Sequence, residues 1–203
     1  MKWDTNLYDQ KHSFVTKYGE DLLSLLDAKP GERILDVGCG SGHLTKLIAD
    51  AGAEVTGLDS SQEMIATAQA TYPAINFIVA DASDFVFAEP LDAIFSNAAL
   101  HWVGDHQALF PRLLDCLAPG GVLAVQIPGN FDAPSHRLIR ELASEPTWSA
   151  RLGAARMGAV LGMADYHRIL APHARNLALW ETTYWQALAG PAPVLDWLRG
   201  TTL

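Results

Sequence analysis

The stretch ILDVGCGSGHLT, Ile34 to Thr45, decides how this chain folds. It runs from an apolar strand pattern through three glycines into a helical pattern, the layout of a nucleotide-binding turn. A dinucleotide loop of the G-x-G-x-x-G type would carry its third glycine at position 43. Here the glycines fall at Gly38, Gly40 and Gly42, and His43 puts a bulky side chain where helix and strand would need to pack closely. Asp36 stands two residues ahead of the first glycine. A carboxylate there would repel a pyrophosphate but attract an ammonium or a sulfonium. The turn therefore reads as one built for a cationic ligand.

Working outward, residues 13 to 28 show a helical apolar period that Pro30-Gly31 ends. ERILDV is a buried strand, HLTKLIADAG a helix, and AEVTGLD the second strand. SSQEMIATAQATY opens a helix with Ser60 and Ser61 as N-cap candidates. INFIVAD and LDAIFSN are the third and fourth strands. HQALFPRLLDCLAPGG reads as a helix ending at Pro119-Gly120-Gly121, and VLAVQIP as the fifth strand. Strands alternating with helices at this spacing predict an α/β, Rossmann-like, doubly wound and mainly parallel sheet covered on both faces. Beyond residue 130 the pattern predicts helices near 134–144, 149–162 and 164–171, a strand near 176–186 that joins the sheet, and a short helix near 192–199. Trp148, Trp180, Trp185 and Trp197 enrich this last third, and core packing is the simpler expectation for them.

The 203 residues suit one domain, with 49% hydrophobic and 18% charged residues. No apolar run is long enough to span a bilayer, and the first residues, MKWDTNLYDQKHSF, lack a secretory signal. A net charge of −9 argues against broad nucleic-acid binding. Cys39 and Cys116 share no C-x-x-C context, so neither a disulfide framework nor a metal site is indicated. The expectation is a cytoplasmic, reduced protein with no membrane or nucleic-acid partner.

Ligands of doubly wound sheets sit beyond the carboxyl ends of the strands. Asp36, Asp59, Asp81 and Asn97 close four successive strands there. Asp and Asn also cap such turns for purely local reasons. Four in register with a G-x-G-x-G turn weigh against capping alone. Asp59, at the end of the second strand, suits two ribose hydroxyls, and Asp81 could accept from an adenine amino group.

With these residues in place, ILDVGCGSG, GLDSS, VADAS and SNAALHW resemble the successive motifs of class I S-adenosylmethionine-dependent methyltransferases over about residues 1 to 128. The resemblance implies S-adenosyl-L-methionine as cofactor. Gly38, Gly40 and Gly42 would pass under its methionine moiety, with Asp36 and Asn97 on the same rim, and Asp59 with Ser60 would take the ribose. Met64 would pack on the adenine, and Asp81 with Ala82 would fix its amino edge. The leading segment is similar to lids of this superfamily, which makes Tyr8 and His12 candidates for the methionine carboxylate and Phe14 for packing on the cofactor. A solvated surface helix is the competing reading for those three.

The last third, QIPGNFDAPSHRLIRELA and LWETTYWQALAGPAPVLDWLRGTTL, resembles trans-aconitate methyltransferases, which esterify a carboxylate of a small polyacid. That resemblance divides the chain into a lid at 1–30, a cofactor core at 31–130 and a substrate cap at 131–203. The family continues beyond Leu203 into further helices and a closing strand, so the cap is expected to be truncated. Its bare edge strand is then expected to favour self-association or a poorly ordered C-terminal region.

A carboxylate nucleophile is already ionised near neutrality and needs no base. His101, beside Trp102 after the fourth strand, is the base candidate for any other acceptor, with a packing or capping role as the competing reading. Binding a polyacid calls for convergent cations. His136 and Arg140 share a helical face, whereas Arg137 reads as solvated. Two other readings stay open: an NAD-type oxidoreductase, against which His43 and Asp36 count, and a non-catalytic subunit binding a partner through the aromatic C-terminal region.

Overall fold

The computed structural model describes residues 21–85, 87, 89–152, 158–185 and 187–198. Five parallel strands lie in the order β3-β2-β1-β4-β5: β1 Arg33–Val37, β2 Glu54–Asp59, β3 Asn76–Val79, β4 Leu91–Asn97 and β5 Leu117–Gln126. The helices among the described residues are α1 (21–26), α2 His43–Asp50, α3 Gln62–Thr71, α4 His106–Asp115, α5 Pro134–Ser144, α6 Pro146–Leu152, α7 Met163–Leu170 and α8 Pro193–Leu198.

Alternate residues of β1 feed opposite layers, because successive strand side chains point to opposite faces. Ile34 packs with Leu22, Leu26, Ile48 and Val55 under α1 and α2. Leu35 and Val37 pack with Leu109, Phe110 and Leu113 of α4 and with Tyr166 and Leu170 of α7. Near-continuous burial of β1 and β4 follows from this double coverage.

Four expectations are corrected. The helix beginning at His106 stops at Asp115 rather than at Pro119-Gly120-Gly121, and β5 already starts at Leu117. A register shift between Leu91 and Ala93 lets residues 118–121 bulge out of the ladder, where Pro119 could donate no hydrogen bond. The helix expected over 149–162 is α6, which begins at Pro146, while residues 158–162 are not helical. Residues 153–157 lie outside the described residues.

No strand forms at 176–185. Leu177 and Leu179 keep a period-two burial against the core, with Ala178 and Trp180 exposed, but their backbone joins no ladder. The premise for association through that strand is therefore absent, and β3 and β5 are the two sheet edges among the described residues. The tryptophans are not core residues as expected. Trp148, Trp180 and Trp185 are exposed, Trp185 by 95%, and only Trp197 is half-buried.

Candidate functional site

Because every strand runs the same way, the carboxyl ends of β1, β2 and β4 deliver Asp36, Asp59 and Asn97 to one rim. β3 stops at Val79, so Asp81 lies in the following turn and not at the strand end. Its Oδ1 accepts from the Ser83 N–H at 2.8 Å, the local capping geometry weighed against a ligand role.

The glycine turn is built from left-handed backbone, with φ of 78°, 54° and 85° at Gly38, Gly40 and Gly42. The Gly38 and Cys39 N–H groups both donate to Leu58 O, at 2.7 and 3.0 Å. A Cβ at Gly42 would stand 2.7 Å from Phe77 Cζ and 3.2 Å from Ala68 Cβ. Gly42 thus permits the close approach of helix and strand, and His43 is exposed rather than standing in that contact. Burial pushes the Cys39 thiol upward, which keeps it protonated and unreactive.

Asp59 ties the turn to β2. Its Oδ2 accepts from the Gly40 N–H at 2.9 Å and its Oδ1 from the Ser61 N–H at 2.8 Å. Each carboxylate oxygen has two acceptor positions, so both keep capacity for the hydroxyls of a diol. Ser61 is the N-cap of α3, its Oγ accepting from the Met64 N–H at 3.2 Å, with Met64 buried and Ser60 exposed beside it.

Asp36 is buried, and the Thr45 hydroxyl donates to its Oδ2 at 2.6 Å. Burial pushes its pKa up to about 7, opposed by the Thr45 hydrogen bond and helped by the charge of Asp59.

The acceptor side begins where β4 ends. Ala98 takes a left-handed φ of 52°, a backbone that L-residues adopt at a cost, and a Cβ at Gly38 would overlap that of Ala99. The 3₁₀ turn Leu100–Trp102 follows. His101 is buried, its ring 4.6 Å from that of Trp102 and 5.6 Å from that of Phe131. Phe131 meets His136 edge-on at 5.7 Å. Arg140 donates from Nη1 to Phe131 O and from Nη2 to Asp132 Oδ1.

The two candidate substrate residues therefore meet the candidate base around one phenylalanine. His136, however, is buried, and burial first and then Arg140 lower its pKa, which disfavours the expected cation. Arg137 is exposed, as expected of a solvated face.

Phe131 and Arg112 were not legible as site residues. A lone aromatic ahead of Ala133-Pro134 carries no periodic signal. Arg112 looks like an ordinary cation on an amphipathic helix, yet its guanidinium donates to Ala82 O and Phe85 O and stacks 4.7 Å above the Phe85 ring. It holds the turn that contains Asp81 and Ala82. Tyr8, His12 and Phe14 lie outside the described residues. No cluster of potential metal ligands occurs among the described residues. A hollow of about 520 Å³, lined by Arg33, Glu54, Asn76 and Glu89 among others, opens at the opposite, amino ends of the strands.

Known proteins match this arrangement. A family model described as a methyltransferase domain covers residues 34–121. A chain of the complex between the Haloferax volcanii Trm112 methyltransferase activator and a methyltransferase superposes with a TM-score of 0.63 at 19% identity, over 85% of this chain and 76% of its own. Haemonchus contortus phosphoethanolamine N-methyltransferase 2, solved with S-adenosyl-L-methionine, does so with a TM-score of 0.56 at 23% identity, over 77% and 36%. At these identities the likeness concerns the fold.

The family model, together with curated relatives of 40–42% identity over nearly the whole chain, makes the chain an S-adenosylmethionine-dependent methyltransferase, an enzyme class whose cofactor is S-adenosylmethionine. Curated relatives narrow the class. Trans-aconitate 2-methyltransferase of Azoarcus sp. is 42% identical over 204 residues, spanning 99% of this chain and 80% of its own length. The Paracidovorax citrulli enzyme of the same name is 40% identical over 207 residues, with the same coverage. The chain belongs to the trans-aconitate 2-methyltransferase family.

Among the described residues no helix is long and apolar enough to cross a membrane.

Proposed function

We propose that the protein methylates a carboxylate of a small polycarboxylic acid of the trans-aconitate kind. The supporting observation is its likeness, at about 40% identity over nearly its whole length, to enzymes of that name. On this reading residues 1–30 form a lid, 31–130 the cofactor core and 131–203 the substrate cap.

The residues present fit the cofactor. Space above Gly40 is open where a Cβ would point, so a ligand can lie against the turn backbone. Gly38 and Gly42 shape that floor, Asp59 and Ser60 take the ribose, and Met64, Asp81 and Ala82 frame the adenine. Asp36 faces the positive end, with Asn97 beside it. Tyr8, His12 and Phe14, outside the described residues, are the proposed contacts to the methionine end. S-adenosylmethionine supplies an electrophilic methyl group on a sulfonium.

The rest of the work is positional. Alignment of nucleophile and methyl group is worth roughly 7–11 kcal/mol. Arg140 is the cation on the acceptor side. A guanidinium has five N–H donors, and Phe131 O and Asp132 Oδ1 engage two of them, so others can reach a carboxylate. His136, its pKa lowered by burial, is proposed to supply a hydrogen bond. His101 and Trp102 form the wall beside the transferred methyl group. The net charge of −9 repels a polyanion at long range, but this is screened beyond about 8 Å at physiological salt.

The test is turnover of trans-aconitate, with the methyl ester identified by mass. At saturating cofactor, kcat should stay flat between about pH 6 and 8, because a carboxylate is ionised throughout. A kcat rising through the histidine range and collapsing in His101→Ala would instead mean a protonated nucleophile and another acceptor.

A second expectation concerns Arg112. Losing two hydrogen bonds from a charged donor should weaken S-adenosylhomocysteine binding about tenfold in Arg112→Ala. Arg112→Lys should recover little, since a lysine cannot span both carbonyls. Calorimetric affinities of the two variants check this.

A further inference from the structure

Residues 158–166 are bonded to the turn that carries His101 and Trp102 by a chain of hydrogen bonds. The Ala159 N–H donates to His101 O at 2.7 Å. The Leu161 N–H donates to Tyr166 Oη at 3.2 Å. Tyr166 Oη lies 2.7 Å from His106 Nδ1, and His106 Nε2 lies 2.9 Å from Leu100 O. A carbonyl can only accept, so Nε2 is the donor to Leu100 O, and Nδ1 pairs with the tyrosine hydroxyl. The carbonyls of Leu100 and His101 are thus both gripped, directly or through two side chains, from one short segment.

Both polar side chains are buried, Tyr166 at 7% exposure and His106 at 3%, within a three-ring cluster completed by Phe110. Burying a hydroxyl and an imidazole costs free energy unless both are bonded, and an apolar pair would fill the space without that cost. What the polar pair adds is direction: it fixes where Leu100 O points, and with it the 3₁₀ turn. Gly158 completes the grip. A Cβ there would stand 2.4 Å from Phe131 Cζ and 2.9 Å from His101 Cδ2, so the backbone itself forms a wall against both rings.

We propose that Tyr166, His106 and Gly158 are positioning residues, a clasp through which segment 158–166 sets the placement of His101, Trp102 and Phe131 and so the fit of the acceptor acid. This deepens the carboxylate-methylating reading and leaves the cofactor half untouched.

Hydrogen exchange and kinetics on the full chain test it. In Tyr166→Phe, the amides of Trp102 and Val103, bonded to Ala99 O and Leu100 O, should exchange about tenfold faster, while those of β1 and β4 stay protected. KM for trans-aconitate should rise about fivefold or more, with the S-adenosylhomocysteine dissociation constant held within about twofold. Gly158→Ala removes no hydrogen bond, yet should shift KM the same way and speed exchange at the same two amides, by moving the His101 ring. It serves alone if Tyr166→Phe does not fold. Unchanged exchange at Trp102 and Val103 in a folded variant overturns the clasp, as does a rise in KM matched by an equal loss of cofactor affinity. A wild-type chain that leaves trans-aconitate unmethylated overturns the functional reading instead, and the exchange measurement still decides the clasp.

Discussion

At pH 8 the ligand-free protein carrying Asp36→Asn should melt well above the unmodified chain, while binding S-adenosylmethionine more weakly. The folded-state pKa of Asp36 is about 7 against an ordinary 3.8. An acid whose pKa is raised by folding favours the folded state when protonated, and that advantage is lost as pH climbs from the unfolded value through the folded one. Three units correspond to about 4 kcal/mol at pH 8, as an upper figure. Asparagine cannot ionise, and its carbonyl accepts the Thr45 hydroxyl equally well. A gain of about 2–4 kcal/mol corresponds to about 5–15 °C in a chain of this size.

Melting curves at pH 8 and pH 5 check the sign: the gain must be much smaller at pH 5, and equal gains would refute the argument. Loss of the carboxylate proposed to face the cationic end of the cofactor should cost roughly tenfold to a hundredfold in cofactor affinity. In the unmodified chain, affinity should improve as pH rises through 7.

Asp59→Ala carries the second large effect. The carboxylate is proposed to hold the ribose diol, and it also accepts the Gly40 and Ser61 N–H groups. Removing it takes away ligand contacts and frees the glycine turn together. The expected loss is about 2–4 kcal/mol of S-adenosylhomocysteine binding, above the 1.5–3 kcal/mol of one hydrogen bond to a charged group. Asp59→Asn should fall between, since it keeps one acceptor oxygen. Calorimetry on folded variants decides, and an unchanged affinity in Asp59→Ala would remove Asp59 from the site.

The half of the chain that was legible in sequence is the half built from short-range rules. Strand period, glycine turn and Ser61 cap are all local, and they place Asp36, Asp59 and Asn97 on one rim. Even the misplaced reading of His43 was off by a single residue, because close packing at Gly42 depends on Phe77, a strand away.

Beyond residue 98 the determinants are long-range. The segment LALWETTYW has strand composition, but a strand exists only with a partner, and none pairs with it among the described residues. The cation pair expected from His136 and Arg140 is disfavoured at His136 for a similar reason. Helical spacing puts them on one face, but only the fold shows that His136 is buried, which lowers its pKa.

Ala98 marks where the chain changes tasks. Residues proposed for the cofactor precede it, and those proposed for the acceptor follow it in the order His101, Phe131, His136, Arg140. A mutant library seeking new acceptor acids can therefore be confined to positions downstream of Ala98, with cofactor affinity inherited intact. Arg112 is the exception, since it sits downstream yet holds the Ala82 and Phe85 carbonyls. Randomising α4 would mix two selections that the rest of the chain order keeps apart, and combinations involving position 112 are the ones expected to depart from additivity.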